Sequence, residues 1–389
     1  MLPSDKKSWC ELTANSVLSL AIMKIQNLTA LLVGSLSTIA SAQIPDLLNT
    51  FDAGSRSFGA FGVTGADTLS ILNNPAGLGY ISTKSYGLAY RNMPTSFTTL
   101  TGNLNSPFTS TDGDGGKSQL SHLGYAVPIK GGRTLGISYQ VGGYISDFRG
   151  GVGLTSGALS NITYSELLDV KTGFYTVAVG KGKEDGSGSI GYGLTFADVD
   201  FQNRQLGFIP GGATLVDTDN KASGYGVGLV AGIQQNNGNN SYGISLRTPI
   251  KLQGSDVVKA AYDTVPGQLS VGLARRVDGF RGEGNYLLQG IQLNHFFGGS
   301  GNGLLSRTSQ TTVGLGVELG LSRNDYTLPL RVGYMASQGG GDAFADRNGL
   351  TFGLGYRPNS QPWALDLNYA FPKTGGKDIA FTFSYRFDK

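Results

Sequence analysis

The sequence predicts an all-β protein: a 14-stranded antiparallel transmembrane β-barrel with an N-terminal segment lodged in its lumen as a hatch. Three observations carry that expectation. From about residue 84 onward, apolar residues alternate with small or polar ones. The segments so marked are about 9–12 residues long, the length a tilted strand needs to cross a bilayer. Short and long connections alternate between them, as in barrels whose turns lie on one side of a membrane and whose loops lie on the other.

The chain begins with a leader. Met23-Lys24 supplies a short basic start, Leu28 to Ile39 an apolar core, and Ala40-Ser41-Ala42 a small-residue cleavage site. This divides the chain into an upstream extension at 1–22, a signal peptide at 23–42, a hatch at 43–82 and the barrel at 83–389. The apolar run falls short of the roughly 20 residues a membrane-spanning helix needs. Cys10, the one cysteine, lies in the part expected to be removed. That leaves no disulfide, thiolate nucleophile or cysteine-based metal site in the mature chain.

The strands follow from period-two patterning. In "DIAFTFSYRFDK", Ile379, Phe381, Phe383, Tyr385 and Phe387 share one face, and Thr382, Ser384 and Arg386 the other. "WALDLNYAF" sets Trp363, Leu365, Leu367, Tyr369 and Phe371 against Asp366 and Asn368. A soluble sandwich would turn such apolar faces inward, whereas a membrane barrel turns them toward lipid around a polar lumen. The second face here is Gly, Ser, Thr, Asn and scattered Arg rather than dense Lys and Glu, and apolar faces often end in aromatics. Both features favour the barrel. Strands are expected near 118–128, 132–142, 170–180, 188–199, 222–233, 240–248, 266–277, 286–297, 310–320, 327–337, 348–357, 363–371 and 378–387. One more pass over 84–104, interrupted near Pro94, makes the number even. Short links at 130–132, 181–187, 234–240, 278–285, 322–326 and 358–362 read as periplasmic. Longer ones at 143–169, 200–221, 249–265, 298–309 and 338–347 read as external loops.

Composition narrows the function. Of 389 residues 61 are Gly, 15% are charged, and the net charge is +3 with no basic block, which argues against a nucleic-acid partner. His122 and His295 lack metal-ligand spacing, "DGDGG" at 112–116 lacks the later ligands of a calcium loop, and no cofactor or catalytic set emerges. Arg91, Arg247, Arg276, Arg331, Arg357 and Arg386 fall on the lumenal parity, because a charge facing mid-bilayer costs about 2–4 kcal/mol. They either grip a carboxylate ligand or form a structural network with Glu318, Asp366, Asp52 and Asp67.

Residues 43–82 show neither barrel alternation nor the polarity of a disordered tail. Asn73-Asn74-Pro75-Ala76-Gly77 forms a tight turn, and Phe58, Phe61, Leu69, Leu72 and Leu78 are candidate apolar ligand contacts inside the barrel. The stretch "AGSRSFGAFGVTGADTLSILNNPAGLGY" resembles the hatch of FadL-like outer-membrane transporters, with the family's Asn-Pro-Ala at Asn74, Pro75 and Ala76. The last four strands are similar to that family's as well. The resemblance implies a Gram-negative outer-membrane barrel, in contact with outer-membrane lipid, that passes hydrophobic small molecules such as long-chain fatty acids or hydrocarbons by passive diffusion past a hatch. PorV-like barrels of a secretion apparatus share the turn and the strand texture. They imply the alternative, a docking scaffold that meets a protein partner through the loops at 143–169 and 200–221.

Overall fold

In a computed structural model of the chain, the described residues are 62–68, 71–103, 106–261, 263–297, 309–339, 348–372 and 378–387. Among them, fourteen strands form the wall of a barrel. In chain order these are β1 (Ser85–Asn103), β2 (Ser106–Ile129), β3 (Arg133–Ser156), β4 (Leu159–Gly182), β5 (Gly188–Phe208), β6 (Thr214–Asn237) and β7 (Asn240–Arg247). They continue as β8 (Gln268–Asp278), β9 (Tyr286–Phe296), β10 (Gln310–Ser322), β11 (Tyr326–Gly339), β12 (Gly349–Pro358), β13 (Trp363–Pro372) and β14 (Asp378–Arg386). Sequential neighbours pair antiparallel, and β1 closes on β14 through Tyr86↔Tyr385, Leu88↔Phe383 and Tyr90↔Phe381. β1 is the single pass expected, but it runs unbroken through Pro94, which pairs with Gly116 of β2, so the expected interruption is not there.

The two faces of this wall lie in different solvents. Leu194 and Val227 are 57% and 62% exposed, and Ile137, Tyr192, Leu229 and Phe352 also face out. Arg91, His122, Gln140, Thr195, Gln292 and Asn368 are buried. A water-soluble sheet would reverse that order; a barrel in lipid requires it. No helix among the described residues is long and apolar enough to cross a bilayer. Aromatic rings line both rims of the apolar band. Tyr139, Tyr175, Phe196 and Tyr225 form one row with centroids 4.9, 6.2 and 6.1 Å apart. Tyr326, Tyr356 and Trp363 form another at the short-turn end, 5.5 and 5.6 Å apart.

Two expected external loops are not loops. Residues 143–169 and 200–221 largely continue β3–β4 and β5–β6 as tall hairpins, the first turning at Gly157 and Ala158. Beyond Phe196, β5 runs another twelve residues, about 40 Å of strand at ~3.3 Å per residue. Above the bilayer both faces of a strand meet water, so the hydrophobic contrast that marks a strand fades there. A small apolar core holds the extension together: Leu100, Leu154, Ile162 and Tyr164, packed by Ile209, Leu215 and Val216.

A third, 249–265, folds back over the inner wall. Ile250–Lys251 pairs with Thr264–Val265, Gln253–Gly254 adds to β6, and Asp256–Ala261 forms a short helix. Its Ile250, Leu252, Val258 and Val265 share one buried cluster with Val170 and Phe174 of β4 and Val199 of β5. The connections expected at 298–309 and 338–347 lie almost wholly outside the described residues.

The outward orientation is open to test by paired substitution. Leu194→Arg should lower folding stability in phospholipid vesicles by about 2–4 kcal/mol. Ser223→Arg, outward on β6 but beyond Tyr225 of the aromatic rim, should change it by less than ~0.5 kcal/mol. Urea titration of both variants measures the difference.

Candidate functional site

Inside the barrel lies the turn Asn73-Asn74-Pro75-Ala76-Gly77, all of it buried. Pro75–Tyr80 is a single 3-10 helix with Asn74 at its N-cap. Proline suits the first helical position because its missing N–H would have no partner there. The Asn74 carboxamide does three things at once. Its Oδ1 accepts from Ala76 N at 3.1 Å, while its Nδ2 donates to Val63 O at 2.7 Å and to Ile233 O of β6 at 3.2 Å. One fully buried side chain therefore caps the helix, ties it to the preceding segment and fastens both to the wall.

The wall receives this segment on bare backbone. Lumen-facing glycines on six consecutive strands meet it: Gly124 of β2, Gly136 of β3, Gly180 and Gly182 of β4, Gly191 of β5, Gly232 of β6 and Gly243 of β7. A Cβ on Gly180 would lie 2.6 Å from both Gly79 N and Leu78 Cβ. On Gly191 it would collide with the Pro75 carbonyl, and on Gly232 with the Asn74 side chain. Polar side chains fix the position further. Ser189 Oγ donates to Ala76 O at 2.8 Å, Gln234 Nε2 to Thr64 O at 2.9 Å and Thr134 Oγ1 to Ile81 O at 2.8 Å. Across the lumen, Gln292 Oε1 of β9 accepts from Gly62 N and Val63 N at 2.7 and 2.8 Å.

The apolar candidates divide between two clusters. Leu78 packs with Ile71, Ala126 and Ala178 against the wall. Leu72 instead joins the cluster of the inward-folded 249–265 segment, with Phe174 and Ile250. Leu72 thus stands at a dry seam between the N-terminal segment and that inward loop. Phe58, Phe61 and Leu69 lie outside the described residues, as does Asp52. Arg247 borders the seam: its guanidinium sits 4.6 Å over the Phe174 ring and donates to Pro266 O at 3.3 Å.

The other expected lumenal charges split. Arg331 bonds to Glu318 and, at 2.5 Å, to Asp366 Oδ1. Tyr286 OH donates to Glu318 Oε1 at 2.6 Å and accepts from Arg357 Nη1 at 3.1 Å. Arg357 also lies 3.8 Å from Glu318 and 3.9 Å from Asp366. Arg276, over the Tyr286 ring at 3.9 Å and paired with Asp278, extends the group. These residues come from the six neighbouring strands β8 to β13, so the network is built into the wall. Arg91 is buried on β1, and Arg386 is exposed at the end of β14. Patterning gave no hint of Gln292, Ser189 or Thr134, since each is one polar residue among many at lumenal parity. His122, read as a strand residue, is buried with Nε2 3.3 Å from Thr68 O.

No family model matches the sequence, and no curated protein sequence matches it. Solved structures do match. A FadL homologue from Pseudomonas aeruginosa superposes with a TM-score of 0.58 at 15% identity, over 90% of this chain and 99% of that one. The toluene transporter TodX of Pseudomonas putida superposes at 0.60 and 13% identity, over 88% of this chain and 100% of that one. A TodX deletion mutant, described as a monoaromatic hydrocarbon channel, gives 0.60 and 13% over 87% and 99%. The chain therefore has the FadL-like barrel fold.

Asn74→Ala removes a cap and two buried hydrogen bonds, together about 2 kcal/mol. Hydrogen exchange over residues 71–81 should rise by ten-fold or more while β9–β13 remain unchanged.

Proposed function

We propose that the chain is an outer-membrane channel through which hydrophobic small molecules diffuse passively past the N-terminal segment, which acts as a hatch. The observation that carries this reading is the seam at Leu72. There the segment ending in the 3-10 helix and the inward-folded 249–265 stretch share one dry apolar cluster. A hydrophobic solute could replace their mutual contacts with its own at little net cost, and so bias the pair toward a parted arrangement. The segment is also tied to β2, β3, β5 and β6, so a small shift that released only Gln292 of β9 would open a path along the β8–β13 side while leaving its seat on glycine.

Fatty acids and hydrocarbons both suit the seam. Aliphatic side chains and Phe174 would accept a chain or a ring, and Arg247 would draw a carboxylate toward the same place. Likeness to a FadL homologue and to toluene channels supports the hydrophobic class. A docking scaffold is the competing reading. The surface it would use is the exposed stack of Phe97 of β1 on Phe148 of the tall β3–β4 hairpin, with ring centroids 5.3 Å apart.

Uptake by proteoliposomes decides between them. With Leu72 and Ile250 both changed to Ala, entry of toluene and of a fluorescent fatty acid should rise several-fold. Leu72→Trp should lower it. If hydrophobic flux matches protein-free vesicles throughout, and the purified barrel carries a stoichiometric protein, the scaffold reading takes its place.

A further inference from the structure

The lipid-facing wall opposite the N-terminal segment's seat carries a slot. Leu273, Ile291, Leu315 and Tyr334 are register partners across β8 to β11 and form one exposed outward row. The next outward row toward the short turns is Arg275, Gln289, Val317 and Val332, again partner to partner. Between the rows the same register sets Gly290, Gly316 and Gly333 side by side. Over this backbone lies a recess of about 660 Å³ with apolar sides.

One end of the slot is polar. Arg275 is exposed and outward, with Asn240 and Gln289 as its cross-strand neighbours, and all three line the recess. Asn240 is the first residue after the short turn at 238–239, which places Arg275 at headgroup height rather than among acyl tails. Among the described residues no carboxylate pairs with Arg275; Asp278, the acid nearest in sequence, is taken by Arg276. At that height an outward Arg is tolerated at about 0–1 kcal/mol. Its forked donors match a phosphate, and two neutral side chains that can donate stand beside it.

We infer that this slot binds one glycerophospholipid of the leaflet on the short-turn side. The phosphate sits at Arg275 with Gln289 and Asn240, and one acyl chain lies across the backbone of Gly290, Gly316 and Gly333. Strands tilted by roughly 35–45° turn a groove between residue rows toward the bilayer normal, the direction a chain must take from its headgroup. The site does not depend on what the lumen conducts.

Native mass spectrometry of the detergent-purified protein with palmitoyl-oleoyl phosphatidylglycerol tests the inference. One lipid adduct should survive activation in the parent protein. Arg275→Gln, a rim change that leaves the wall intact, should cut the retained fraction at least ten-fold. Leu315→Trp, which fills the slot, should do the same in protein shown by heat-modifiable migration to be folded. Arg323→Gln, at another short turn, should leave the adduct unchanged, and millimolar inorganic phosphate should not displace it. Equal retention in Arg275→Gln overturns the site. So does equal loss in Arg323→Gln, displacement by phosphate, or a dimer of the chain in place of the lipid adduct.

Discussion

Backbone lying against backbone is the contact on which the interior depends. A wall of fourteen strands encloses more space than its own side chains can fill, since barrel diameter grows with strand number. Asn74 and the 75–80 helix come close enough to fill part of that space because Gly180, Gly191 and Gly232 present no side chain to them. Each strand glycine costs roughly 0.5–1 kcal/mol relative to alanine. The hydrogen bonds from Asn74, Ser189, Thr134, Gln234 and Gln292 offset that cost, along with the buried Ile71 and Leu78. The high glycine content thus has a positional meaning at these strands: it marks a seat. β6 extends the logic, because Gly224, Gly226 and Gly228 lie under Val258, Lys251 and Ile250 of the inward loop.

The two halves of the wall are consequently built by different physics. From β2 to β7 the inner surface is lowered by glycine where the segment and the inward loop rest on it. From β8 to β13 no such layer is described, and rigidity comes from Arg331, Glu318, Asp366, Arg357 and Tyr286, which link strand to strand. Removing one of the buried charges, Arg331, Glu318 or Asp366, would leave its partner uncompensated, typically a loss of about 3–5 kcal/mol. That makes the cluster a poor candidate for a ligand grip. Gln292 bridges the halves, because it is anchored on β9 yet bonds to the segment seated on the other wall.

What the sequence revealed follows the boundary between solvents. Inside the bilayer each strand has one apolar and one polar face, so rows such as Ile379, Phe381 and Phe383 were legible, as was the single pass of β1. Above the bilayer the contrast is lost, so β3–β4 and β5–β6 read as loops although they pair throughout. The inward fold of 249–265 was illegible for another reason: "DVVKAA" would suit an external loop equally well, and only its landing on β6 glycines distinguishes the two. The Asn-Pro turn was readable from local chemistry. Its seat was not, because a glycine at lumenal parity looks the same whether it faces water or the carbonyl of Pro75. Arg275 escaped notice since it falls on the lipid parity, where a charge is least expected.

Photocrosslinking from inside the segment tests the central contact most directly. A benzoylphenylalanine placed at Leu78 in intact outer membranes should crosslink within the same chain, to β3 and β4 near Gly136 and Ala178. Crosslinks to lipid, to another protein or to no partner would show that residues 74–80 do not rest on the glycine wall, and the account of the interior would fail with them.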